Sequence, residues 1–140
     1  MPEEFKPIPG AEGWQLSNPA ILPLAALRAS LEMIDEVGME TLREKSMLLT
    51  GYMEYLLQPL MRQGNISVIT PQQPDERGCQ LSIVISEKGR EVYNYLTSHG
   101  IICDWREPDA IRVAPVPFYN TFQEVWDFVE ILKHALDDLK

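Results

Sequence analysis

A chain of 140 residues with 45% hydrophobic side chains has the size of one ordinary domain and can build a single core. Its formal net charge of -9, from 21 acidic and 12 basic side chains, would meet a phosphate backbone with repulsion, so no nucleic-acid partner is expected. The opening MPEEFKPIPG has neither the basic start nor the apolar stretch of a secretion signal. The longest apolar run, 20–27, holds Pro23 and stops at Arg28, well short of the roughly 20 residues a membrane-spanning helix needs. A soluble cytoplasmic protein with no membrane partner is the expectation. Cys79 and Cys103 lack metal-ligand spacing, and so few cysteines suit a reduced compartment, so neither a zinc site nor a structural disulfide is expected.

Residues 1–20 read as an extended, proline-rich arm ending in Ser17-Asn18-Pro19, where polar side chains and a proline resemble a helix start. From Ile21 to Val37 the apolar positions Leu24, Leu27, Leu31 and Ile34 recur at three- and four-residue spacing, predicting a helix that Gly38 interrupts. The pattern resumes from Met39 to about Arg62 with Leu42, Leu49, Met53, Leu56 and Leu60, although Gly51 and Pro59 weaken this second helix. Residues 66–70 are β-branched and predict a strand, and 79–86 alternate apolar and polar around Leu81, Ile83 and Ile85, predicting another. A short helix over 89–98, with Val92, Tyr95 and Leu96 inward, stops at Gly100. Strands over 101–105 and 110–114 form a hairpin across Arg106-Glu107-Pro108-Asp109. Thr121 and Glu124 make a capping box for a closing helix whose buried stripe is Phe122, Val125, Val129, Leu132 and Leu136.

This order predicts an α+β fold: a small four-stranded sheet covered by helices over 21–140, preceded by an arm that needs something to lie against. There is no internal repeat, glycine-rich phosphate loop, metal cluster or nucleophile with a histidine motif. His99 reads as a helix-end cap rather than a catalyst, His134 as surface, and the two cysteines as apolar fillers inside strands. Ser17 or Asn18 is explained by capping alone. Arg112, between β-branched neighbours and ahead of a Pro-Val-Pro segment, has two readings: a side chain on the polar side of its strand, which the alternation favours, or a guanidinium fork for a carboxylate or phosphate.

Four blocks in order resemble kynureninase: GWQLSNP at 13–19, Lys45-Ser46 with LTGY at 49–52, ERGCQL at 76–81, and Asp104 with IRVAPVPFYN at 111–120. The resemblance covers nearly the whole chain. It implies the C-terminal small domain of a fold-type I pyridoxal-phosphate enzyme that hydrolyses L-kynurenine, or its 3-hydroxy form, to an anthranilate and L-alanine in tryptophan catabolism and NAD biosynthesis. It also implies a homodimer whose active site lies between large and small domains. Carried over residue by residue, Arg112 matches the arginine that grips the substrate α-carboxylate, and Ser17 with Asn18 matches the loop entering the substrate pocket, Asn18 beside the cofactor. The resemblance therefore favours the fork reading of Arg112.

No catalytic residue is expected within the chain itself. The family's Schiff-base lysine lies in the large domain, and none of Lys6, Lys45, Lys88, Lys133 and Lys140 falls in a motif that matches that lysine's, so the isolated chain should be inert and should not bind pyridoxal phosphate alone. Two alternatives remain: the small domain of a related enzyme such as a cysteine desulfurase or class V aminotransferase, and a stand-alone non-catalytic binding module. A desulfurase needs a nucleophilic cysteine on a mobile loop, which strand-like Cys79 and Cys103 do not offer.

Overall fold

The computed structural model describes residues 4–139, and the chain divides into two compact units, Met1–Met39 and Glu40–Lys140. In the first unit the arm is not uniformly extended: Ala11–Trp14 form one 3-10 turn. Helix α1 spans Ile21–Val37, the predicted range, and ends at Gly38, whose φ of 85° only glycine adopts freely and whose N–H donates to Ile34 O at 2.8 Å. The expected capping by Ser17 or Asn18 is not found. Ala20 occupies the cap position without a side-chain hydrogen bond, and Ser17 and Asn18 stand too far upstream to reach the free N–H groups of the first turn. No residue of α1 is buried; Leu24, Leu27 and Leu31, its predicted apolar face, are 49%, 52% and 49% exposed.

The second unit holds the core. Helix α2, Met39–Arg62, runs unbroken through Gly51 and Pro59. Both residues are exposed, so solvent can serve the carbonyl that Pro59 leaves without an N–H partner. Its buried positions, Ser46, Leu49, Thr50, Met53, Leu57 and Leu60, follow helical spacing, while Leu42 and Leu56 are only half-buried. Buried Thr50 satisfies its hydroxyl on Ser46 O at 2.9 Å.

Four strands, β1 (Ile66–Val68), β2 (Leu81–Ile85), β3 (Asp104–Arg106) and β4 (Ala110–Val113), form one antiparallel sheet in the order β1-β2-β4-β3. Each is shorter than the sequence pattern suggested, for local reasons. Beyond β1 only half of the pairing stays with the backbone: Ile69 N–H donates to Ser82 O at 3.0 Å, but Ser82 N–H donates to the side chain of Thr70, at Oγ1, at 2.8 Å. Ahead of β3, the Ile101 N–H is used by helix α3 (Gly89–Ser98): it donates to Leu96 O at 3.0 Å while Gly100, at φ 82°, donates to Thr97 O, a Schellman closure. Cys79 and Cys103 consequently precede β2 and β3 instead of lying inside strands.

Helix α4, Phe122–Asp138, begins with the predicted capping box: Thr121 Oγ1 accepts from Glu124 N–H at 3.2 Å and Glu124 Oε2 from Thr121 N–H at 2.7 Å. Val125, Phe128, Val129, Leu132, Ala135 and Leu136 are its buried residues. Phe122 does not join them. At the first helical position it remains 44% exposed, edge-on to Tyr52 at 5.8 Å between ring centres. Leu81, Ile83, Ile85, Ile111 and Val113 line the core face of the sheet and share one cluster with apolar residues of α2, α3 and α4. Burying one such leucine or isoleucine contributes roughly 1.5–3 kcal/mol, so this single layer of contacts carries the unit. Ser82, Val84, Ala110 and Arg112, the alternate positions, occupy the opposite, half-buried face. Among the described residues no helix is long and apolar enough to cross a membrane.

Candidate functional site

The short turn between β3 and β4 fixes which residues meet across the hairpin: Arg106 faces Ala110, Trp105 faces Ile111, and Asp104 faces Arg112. Trp105 and Ile111 belong to the core side, which puts Asp104, Arg106 and Arg112 together on the other. There Asp104 Oδ2 accepts from Arg112 Nε at 2.8 Å and also from Arg112 Nη2, and Arg106 Nη2 lies 3.1 Å from the same oxygen. The Arg112 hydrogen bond, joined by the positive charge of Arg106, holds the Asp104 carboxyl below its ordinary value although partial desolvation pushes the other way. Arg112 is therefore not a freely solvated side chain; it is 32% exposed and held by a carboxylate.

Immediately after Arg112 the chain leaves the sheet, because Pro115 and Pro117 have no N–H to give to a ladder. The following loop is tied down. Asn120 donates its N–H to Val116 O and accepts from Val116 N–H through Oδ1, both at 2.8 Å, and Lys45 Nζ donates to Pro117 O at 2.6 Å. The block at 76–81 has a structural task of its own: Arg77, 5% exposed in its side chain, grips both carboxylate oxygens of Glu54 on α2, with Nη2 to Oε2 at 2.6 Å. That pairing raises the Arg77 pKa. Sequence reasoning assigned no role to Asp104, Lys45 or Glu54; the signal for Asp104 was available in the count of residues around the hairpin turn.

Ser17 and Asn18 belong to the other unit and are exposed; Ser17 O accepts from Gln15 Nε2 at 2.6 Å. His99 stacks on Tyr95 with ring centres 4.1 Å apart at the end of α3, and His134 is exposed on α4. The Cys103 thiol is pushed up by burial and by neighbouring Asp104, which disfavours the thiolate a nucleophile needs. The lysine amino groups are engaged elsewhere: Lys45 on Pro117 O, Lys88 on Leu139 O, Lys133 on Glu130 at 2.5 Å. Lys6 lies exposed in the arm and Lys140 lies outside the described residues. Three of the described lysines thus have their amino groups committed to neighbours, and Lys6 is an exposed side chain of the arm, a poor place to shield a Schiff base from water.

Fold and site together define a small α+β module that presents a carboxylate-braced guanidinium on the open face of its sheet. The same architecture occurs in a solved NifS-like protein, similar at a TM-score of 0.58 and 25% identity over 73% of this chain and 31% of that one. The model of the kynureninase C-terminal domain matches residues 42–132, and the chain belongs to that family. Curated proteins named kynureninase from Koribacter versatilis and from Xanthomonas campestris pv. campestris are each 51% identical to it, and one from Stenotrophomonas maltophilia is 50% identical, each over 93% of this chain. The chain spans about 30% of the length of these relatives.

Proposed function

We propose that this chain serves as the C-terminal small domain of a fold-type I, pyridoxal-phosphate-dependent kynureninase, hydrolysing L-kynurenine or 3-hydroxykynurenine to the corresponding anthranilate and L-alanine. The observation that carries the reading is Arg112, a guanidinium braced by Asp104 on the open sheet face, in a domain of the kynureninase family. Its role is to hold the substrate α-carboxylate. Fork-to-carboxylate pairing fixes the orientation of the amino acid, so that the bond to be broken can align with the reacting system. Ser17 and Asn18 are assigned to the substrate pocket, and Asn18 to the cofactor's edge, on the resemblance of the block at 13–19. The resemblance places the Schiff-base lysine in the large domain, and the chain spans about 30% of its relatives' length, so the reaction is assigned residues beyond this chain and this domain the binding of substrate.

The enzyme is proposed to be a cytoplasmic homodimer, with a large domain against which the arm and α1 pack. The exposed apolar residues of α1 and the share of its relatives that the chain spans support that arrangement. Likeness to the NifS-like protein favours a desulfurase as the second reading, but 25% identity there against about 50% to kynureninases, and a Cys103 thiol that resists ionisation, favour the first.

The test is steady-state kinetics of the full-length protein beside its cofactor absorption spectrum and a thermal melt. Charged hydrogen bonds contribute roughly 1.5–3 kcal/mol, so Arg112→Lys, which keeps charge and loses the fork, should lower kcat/KM for kynurenine about ten- to a few hundredfold. Arg112→Ala should cost more, on the order of 2–5 kcal/mol, because the substrate carboxylate loses its partner. Near-normal kcat/KM in Arg112→Ala, or unfolding as its sole defect, would make Arg112 structural.

A further inference from the structure

Asp104 spends one oxygen on two guanidinium groups, and the way it does so is selective. It takes the Nε–H of Arg112 and an N–H of Nη2, the side edge of that guanidinium. The end edge, formed by Nη1 and the second Nη2 proton, is another fork of the same shape. Arg112 can hold Asp104 along one edge and a second carboxylate along the other.

Stability is a poor explanation for the arrangement. The side chains of Asp104, Arg106 and Arg112 are 48%, 59% and 32% exposed, and ion pairs this wet contribute little to folding. What the pairing does provide is order. An arginine side chain is rich in rotamers, and a ligand must overcome that entropy if the side chain is free beforehand. Charge is balanced as well: two guanidinium groups against one carboxylate leave the cluster with one net positive charge, the complement of a single carboxylate ligand.

We infer that Asp104 is a positioning residue for Arg112: it fixes the guanidinium plane so that the end edge meets the substrate carboxylate, while Arg106 offsets the negative charge Asp104 brings. This inference rests on the reading that Arg112 binds that carboxylate.

The experiment uses the full-length protein and two probes, kynurenine and its α-carboxamide, with binding of each measured by titration alongside kcat and KM. Asp104→Asn preserves shape and removes the charge. It should weaken kynurenine roughly tenfold or more, as small misplacements of an anchoring group do, while leaving the carboxamide, the cofactor spectrum and the melting temperature unchanged. Asp104→Glu should recover part of the loss. Unchanged or tighter kynurenine binding in Asp104→Asn overturns the inference, as does an equal loss for both probes or a loss that follows a fall in melting temperature. Arg112→Ala separates the two levels. If it discriminates the carboxylate from the carboxamide and Asp104→Asn does not, the positioning role alone fails; if it does not discriminate, the reading of Arg112 fails with it.

Discussion

Helices α1 and α4 are each 17 residues long and each carries an apolar stripe at helical spacing, yet six residues of α4 are buried and none of α1 is. Their beginnings differ too. The α4 N-terminus is closed by a reciprocal Thr121–Glu124 capping box, whereas α1 starts at Ala20 with no side-chain cap. Amphipathic periodicity states that a helix has a face to bury; it does not state that the surface which buries it lies within the same compact unit. In α4 the shared core of sheet and neighbouring helices supplies that surface, and in α1 none of the described residues of the first unit does.

Substitutions in the two helices sharpen the contrast. Leu132→Ala removes a side chain 1% exposed at the centre of the core and should destabilise the chain by about 2–5 kcal/mol in urea unfolding. A value below 1 kcal/mol would mean that α4 is not packed as described.

Thr121→Ala should cost about 1 kcal/mol by the same measurement, from loss of the cap. This effect also has a pH signature. Hydrogen bonds from the Thr121 backbone and hydroxyl hold the Glu124 carboxyl below its usual 4.5. A depressed carboxyl stabilises the fold above its unfolded value, and that contribution fades as pH falls through the folded one. Thr121→Ala keeps the backbone N–H that donates to Glu124 and loses only the hydroxyl, so the share of the gap that comes from the hydroxyl's bond to the carboxylate should be full near neutrality and shrink below about pH 4.5, towards the depressed value. A gap that is constant with pH would mean that the hydroxyl's bond to the Glu124 carboxylate adds nothing to the cap.

The smallest effect is expected from Leu27→Ala on α1. At 52% exposure it should change the stability of this chain by no more than about 0.5 kcal/mol. A loss like that of Leu132→Ala would erase the difference between the two helices.

The same two regions mark what could be read from sequence. Helix limits were legible wherever a local device sets them, as with Gly38, Gly100 and the Thr121–Glu124 pair, because the cause lies within a few residues. Strand limits were less so: whether Ile101 extends β3 or closes α3 depends on the competition for its N–H, which the alternation does not encode. Phe122 fits the helical stripe but precedes the part of α4 that lies over the core. At the site, Arg112 and Asp104 were both visible as residues, yet their pairing is set by the register of the hairpin. Ser17 and Asn18 have the residue types of caps but do not act as caps, since capping depends on where the first helical residue falls.

The flanks of the sheet have a further consequence. Both outer strands, β1 and β3, are only three residues long, and β3 carries Asp104 and Arg106 with Pro108 close behind. A neighbouring copy seeking to lengthen the ladder there would find few free backbone groups and would have to strip water from the charged side chains of Asp104 and Arg106, already paired with each other. The residues that brace the guanidinium thus also guard the flank against edge-to-edge polymerisation, and replacing them with apolar side chains would trade recognition for a propensity to form fibrils.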